Sequence, residues 1–182
     1  MNNVDRRKEE KSTREQGKTW ILVAVDNSDY AKLVAEEAAK VAQERKANVV
    51  FLSVVSIPSF VAAEGEVDAE EIQEREAEFE KLHNQLIDDY FKRSVETLVE
   101  SKILHGDPAS KIVKYADEID ADLIVMGSKG QGKLASVFLG SVSKHVVNNS
   151  KHSVLVVKRK NKEVEKGNVA QNVGSHDTNK KK

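Results

Sequence analysis

The feature that most constrains this chain is a series of short, unbroken apolar runs, each too long for a turn and too continuous for a sheet with one wet face. Thr19-Trp20-Ile21-Leu22-Val23-Ala24-Val25 is rich in β-branched residues and ends on Asp26-Asn27-Ser28-Asp29, the pattern of a strand buried on both faces that runs into a helix cap. Val49–Val55 repeats it and is broken at Ile57-Pro58, where proline removes a donor and biases its predecessor towards extended geometry. Asp122–Met126 and Val154–Val157 are further runs of this kind. Val95–Leu104 is less purely apolar and reads as a third strand at a sheet edge.

Between the runs the apolar period changes to that of a helix. Over 30–45 it falls on Ala31, Val34, Ala35, Ala38 and Val41/Ala42, and over 68–92 on Ile72, Phe79, Leu82, Leu86 and Tyr90. His105-Gly106-Asp107-Pro108 stops the third strand and starts a helix, with Asp107 as N-cap, Pro108 in its first position, and Ala109, Ile112, Val113 and Ala116 on its inner face. A helical piece at Leu134–Phe138 and a helix at Ser141–Asn149 precede the last strand. Strands alternating with helices imply parallel strands and right-handed crossovers. The expectation is one doubly wound α/β domain over 18–159, a five-stranded parallel sheet flanked by helices, with polar, disordered tails at 1–17 and 160–182. Ligands of such sheets lie beyond the carboxyl ends of the strands where the winding reverses, which here carry Asp26, Val54 and Gly127.

Charge is distributed unevenly. Residues 1–18 hold six Lys/Arg against four Asp/Glu and residues 158–182 eight against three, so both ends are basic and the middle of a chain of net charge −1 is acidic. Eleven acids fall within 64–89, against Arg75 and Lys81 alone, which describes the solvated face of an amphipathic helix. An acidic folded part disfavours specific nucleic-acid binding, although Lys180-Lys181-Lys182 suits weak, salt-sensitive contacts. The absence of cysteine excludes disulfides, thiolate metal sites and cysteine nucleophiles. With no apolar segment behind the charged amino end and no run near the ~20 residues that cross a bilayer, neither secretion nor membrane insertion is expected, and the location expected is cytoplasmic. The five histidines show no metal-ligand spacing and no nucleophile elbow is present, so no residue is assigned to catalysis or to a protein-held metal.

The stretch that carries chemistry is Met126-Gly127-Ser128-Lys129-Gly130-Gln131-Gly132-Lys133, continued to Leu139-Gly140-Ser141-Val142. Glycines let backbone N–H groups converge on an anion, and Gly140-Ser141 introduces a helix whose free N–H groups and dipole favour phosphate. Gly127…Gly132-Lys133 meets the Walker A template except at its last position, where Leu134 replaces the hydroxyl that would hold Mg²⁺. Gly130-x-Gly132-x-x-Ala135 meets a relaxed dinucleotide template but lacks the acidic residue about 20 positions on that would hold a ribose.

Gly127, Gly130, Gly140 and Ser141 match at every position the Gly-x2-Gly-x9-Gly-[Ser/Thr] pattern of the ATP-binding universal stress proteins, and the chain resembles that family over roughly residues 19–158. The resemblance implies an adenine nucleotide alpha hydrolase-like fold. It implies that Ala24 and Asp26 face ribose and adenine, that Val54 lines the base, that Met126 and Gly127 lie beside ribose and phosphates, and that Gly130, Gly140, Ser141 and Val142 cradle the phosphate chain. Ala24 stands where some ATP-binding members carry proline. Lys129 and Lys133 are candidate phosphate contacts or ordinary loop lysines; Asp26 has the alternative of capping the next helix, Gly127 and Gly130 that of plain turn residues, Val54 and Met126 that of core.

The expected ligand is ATP with Mg or Mn, and the expected role nucleotide-dependent interaction with an unidentified protein partner in stress response or signalling. No base to orient an attacking water and no arginine finger stands out, so any hydrolysis is expected to be slow. A slow ATPase or phosphotransferase, and a dimeric scaffold with a vestigial site, are the alternatives. The family also implies a homodimer, and pairing Val154–Val157 with its twin would cover an apolar strand edge.

Overall fold

In the computed structural model, which describes residues 17–57, 68–92, 97–130 and 139–159, the five runs form one parallel sheet. Its strands are β1 (Trp20–Ala24), β2 (Asn48–Ser56), β3 (Val99–Gly106), β4 (Leu123–Gly127) and β5 (Ser153–Val157), in spatial order β3-β2-β1-β4-β5. Helices α1 (Ala31–Arg45), α2 (Ala69–Tyr90), α3 (Pro108–Ile119) and α4 (Ser141–Asn149) make the intervening connections. Parallel neighbours cannot be joined by a tight hairpin, so this alternation is what the pairing demands. The winding runs outward from β1 to β2 and β3, then returns through α3 to the other side of β1, which sets the reversal beside β1 and β4.

Side-chain alternation divides the core in two. Ile21, Val23, Val49, Phe51, Leu123 and Val125 face α1 and α2, and Trp20, Leu22, Val50, Leu52, Ile124 and Met126 face α3 and α4. Ile21, Leu22, Phe51 and Ile124 are fully buried, each contributing roughly 1.5–3 kcal/mol relative to exposure. Alanines at 31, 35, 38 and 42 let α1 lie close on the sheet.

The α3 start is as the sequence predicts: Asp107 is the N-cap, accepting from the Ser110 N–H at 2.8 Å and the Ser110 hydroxyl at 2.7 Å, with Pro108 in the first turn. Two boundaries differ. The third strand, expected at Val95–Leu104, runs from Val99 to Gly106, because the ladder with β2 continues through Val55↔His105 and Ser56↔Gly106; Gly106, expected to stop it, closes it instead with φ +122°. Leu98, counted as strand by its apolarity, precedes β3 and is 52% exposed. The cap of α1, sought in Asp26–Asp29, is Tyr30, which makes no side-chain capping bond. The helical piece at 134–138, Lys133, Val95 and most of both tails lie outside the described residues. Among the described residues no helix is long and apolar enough to cross a membrane.

Candidate functional site

At the winding reversal the carboxyl ends of β1, β2 and β4 open into a cleft of about 910 Å³. Ala24, Asp26, Val54, Met126, Gly127, Lys129, Gly130, Gly140, Ser141 and Val142 all line it, so the structure brings together every expected site residue that it describes. They are separated by up to 118 positions in the chain, and the sheet order alone makes them neighbours.

One end of the cleft is made of backbone. The Ser128 N–H donates to Val157 O at 2.8 Å, the Gly140 N–H donates to Ser128 O at 2.8 Å, and the Ser143 hydroxyl donates to Gly127 O at 2.8 Å. These bonds tie the exits of β4 and β5 to the amino end of α4. Gly140 is its N-cap and has no side chain to cap with, so among the described residues the first-turn N–H groups and the positive end of the helix dipole are directed at the cleft without a capping side chain. Because the Gly140 N–H is committed to Ser128, donors for a ligand come from the residues after it. Lys129, half-buried, and Lys144, exposed, stand at the same end.

The three glycines of the motif differ in what requires them. A Cβ on Gly127 would lie 3.1 Å from Tyr30 Cβ and 3.2 Å from Lys129 O; one on Gly130 would lie 2.5 Å from Asp26 Oδ2. A Cβ would thus be crowded at both, and Tyr30 or Asp26 would have to give way to it. A Cβ on Gly140 meets nothing nearer than 3.5 Å, an ordinary contact, so among the described residues nothing in the fold itself requires glycine there. Asp26 is not the helix cap considered from the sequence: it sits four residues before Tyr30, where its Oδ1 accepts from the Ser28 N–H at 3.2 Å while Oδ2 faces Gly130.

The opposite wall is made of side chains from α2. Glu71, Glu74, Arg75, Glu78 and Phe79 line the cleft there; Arg75 pairs with Glu71 at 2.7 Å, and Asn27 Nδ2 donates to Glu78 at 3.2 Å across the mouth. The cleft is thus bipolar, with backbone donors and lysines at one end and carboxylates at the other. Among the described residues no three His, Cys, Asp or Glu side chains are grouped to hold a metal. Behind this wall His83 is buried, which lowers its pKa from 6.5 to about 4. The bonds from Ser110 hold the Asp107 carboxyl below its ordinary value. Sequence reasoning missed Tyr30, Ser143 and Lys144, of which the last two follow Gly140-Ser141 in the same helix, and the whole α2 wall, which no local signal marks.

Residues 19–158 match the universal stress protein family. The chain belongs to that family. A universal stress protein of Methanocaldococcus jannaschii, MJ0531, is 35% identical over 147 residues, covering 79% of this chain and 84% of the relative. The universal stress protein UspA from Lactobacillus plantarum superposes with a TM-score of 0.66 at 29% identity, covering 76% of this chain and 97% of that one. Two other universal stress protein structures hold adenine nucleotides. One, from Archaeoglobus fulgidus, is in complex with dAMP (TM-score 0.58, 26% identity, 77% and 98% coverage); another is in complex with cAMP (TM-score 0.58, 25% identity, 78% and 97% coverage).

Proposed function

We propose that this universal stress protein binds ATP in the cleft and acts through what occupancy does to a partner surface, not through turnover. The observation that carries the reading is the amino end of α4, which among the described residues has no capping side chain and begins at Gly140, where none of them crowds a Cβ. A phosphate chain laid against that end would accept the first-turn N–H groups, close to Lys129 and Lys144. The apolar exits at Ala24, Val54 and Met126 suit a base, and Asp26 an adjoining ribose hydroxyl. Mg or Mn would come with the nucleotide and would offset the charge of its phosphates. The dAMP and cAMP complexes of relatives favour a second reading, in which a single phosphate suffices.

Calorimetric titration of ATP and of AMP, with and without Mg²⁺, into the wild type and Gly140→Val decides among these. Saturable ATP binding that weakens by at least about tenfold in the variant supports the first reading. Equal affinity for AMP and ATP supports the second, and a wild type that binds neither overturns both. The homodimer is also proposed, through β5, whose Val154, Leu155 and Val156 stay half-buried at the sheet edge. Sedimentation that gives a monomer at every concentration would remove it. A cytoplasmic location is proposed with it, to be checked by fractionation.

A further inference from the structure

The α2 wall is held to the sheet by a polar chain that passes through the core. His83, 0% exposed, places Nε2 at 2.8 Å from Ser53 Oγ and Nδ1 at 2.7 Å from Ser101 Oγ. Ser53 donates its own proton to Val25 O at 2.8 Å, so its oxygen is left to accept, and the tautomer follows: Nε2 carries hydrogen and Nδ1 accepts from Ser101. One ring therefore links α2 to β3, to β2 and to the exit of β1, one residue before Asp26. Phe79, a turn earlier on α2, lines the cleft.

We propose that His83 is a positioning residue of the cleft, a pin that sets the α2 wall against the strand exits and releases it when the ring takes a second proton. The role as a cleft residue rests on reading that cleft as a nucleotide site. The second proton would go to Nδ1, which then cannot accept from Ser101, and would put a positive charge where burial opposes it. Phe51 faces the ring at 5.8 Å, and Ser101, which is exposed, gives solvent a route to Nδ1. The titratable groups around it are few. On β3, His105 is engaged by Glu76 of α2 at 2.7 Å; on α2 the neighbours are Glu80 and Lys81; on α1, Glu36 bears on Tyr90.

With an ordinary value of 6.5 for the released ring and about 4 for the pinned one, docking is at full strength above pH 6.5 and weakens as pH falls towards 4. At pH 5 the opening of α2 should exceed that at pH 8 by about thirtyfold. Hydrogen exchange of residues 69–79, corrected for intrinsic rates, measures this in the full chain, in His83→Gln and in Ser101→Ala, each with and without saturating ATP. The expected result is the thirtyfold rise in the wild type, a rise retained from a higher baseline in Ser101→Ala, a flat profile in His83→Gln, and slower opening with ATP bound, as linkage requires. A flat wild type, or the same slope in His83→Gln, overturns the pin, and Ser101→Ala decides the point if the histidine variant does not fold. A pH-dependent opening that bound ATP leaves unchanged overturns the link to the cleft. A wild type that binds no nucleotide overturns the function on which that link depends, while the pH arm still decides the pin.

Discussion

Helices α3 and α4 pack side by side on one face of the sheet, and their amino ends are built oppositely. The α3 end is closed: Asp107 accepts from the Ser110 N–H and hydroxyl, and proline removes a donor that would otherwise lack a partner. The α4 end has glycine at the cap position and, among the described residues, no capping side chain. Helix propensity gives no reason for the difference, because an Asp or Ser at 140 would stabilise α4 by about a few tenths of a kcal/mol. Of two helix ends that reach the cleft, the chain forgoes a side-chain cap at α4, whose first turn lines it, and takes one at α3, which reaches it through Pro108.

The comparison breaks first at Gly140. Gly140→Asp supplies α4 with a side-chain cap, and should lower ATP affinity by more than about 100-fold in titration while changing thermal stability little, since the new carboxylate occupies the donors and repels phosphate. If affinity is unchanged, the open end is not where the anion lies. Next in size is Asp107→Ala, which should cost about 1 kcal/mol in denaturant unfolding and leave ATP affinity as it was. The pH dependence sharpens that expectation. The folded pKa of Asp107 is depressed below 3.8, so its contribution is present above that value and lost as pH falls through the folded pKa; wild type and Asp107→Asn should differ at pH 7 and converge in acid. Smallest is Lys144→Ala, with a severalfold loss of ATP affinity at low salt that shrinks towards physiological ionic strength, as an exposed charge requires.

Much of this architecture was legible in the residues, for physical reasons that also mark where legibility stops. A strand covered on both faces must be apolar throughout, so β1, β2 and β4 announce themselves. An edge strand obeys no such rule, and the expected start of β3 was drawn back past Leu98, an exposed apolar residue that precedes the strand. The phosphate motif was readable because backbone donors need small residues at set intervals. Its spacing did not distinguish Gly127 and Gly130, crowded by Tyr30, Lys129 and Asp26, from Gly140, which none of the described residues crowds. The α2 wall was invisible, because an acidic helix looks the same in sequence whether its carboxylates meet water or a cleft. His83 was hidden for a related reason: a polar residue between Phe79 and Leu86 reads as solvated until Ser53 and Ser101 are brought to it by strands 30 and 18 positions away.

Ser128 contributes two backbone groups to the fold, and they point to different neighbours. Its N–H holds the last residue of the edge strand at Val157, and its carbonyl holds Gly140, where α4 begins. A single residue thus joins the rim of the sheet to the floor of the cleft, in the way that the pivot of a balance joins its two pans. A chain added along β5 would therefore stand two backbone hydrogen bonds, and no side chain, away from the start of α4.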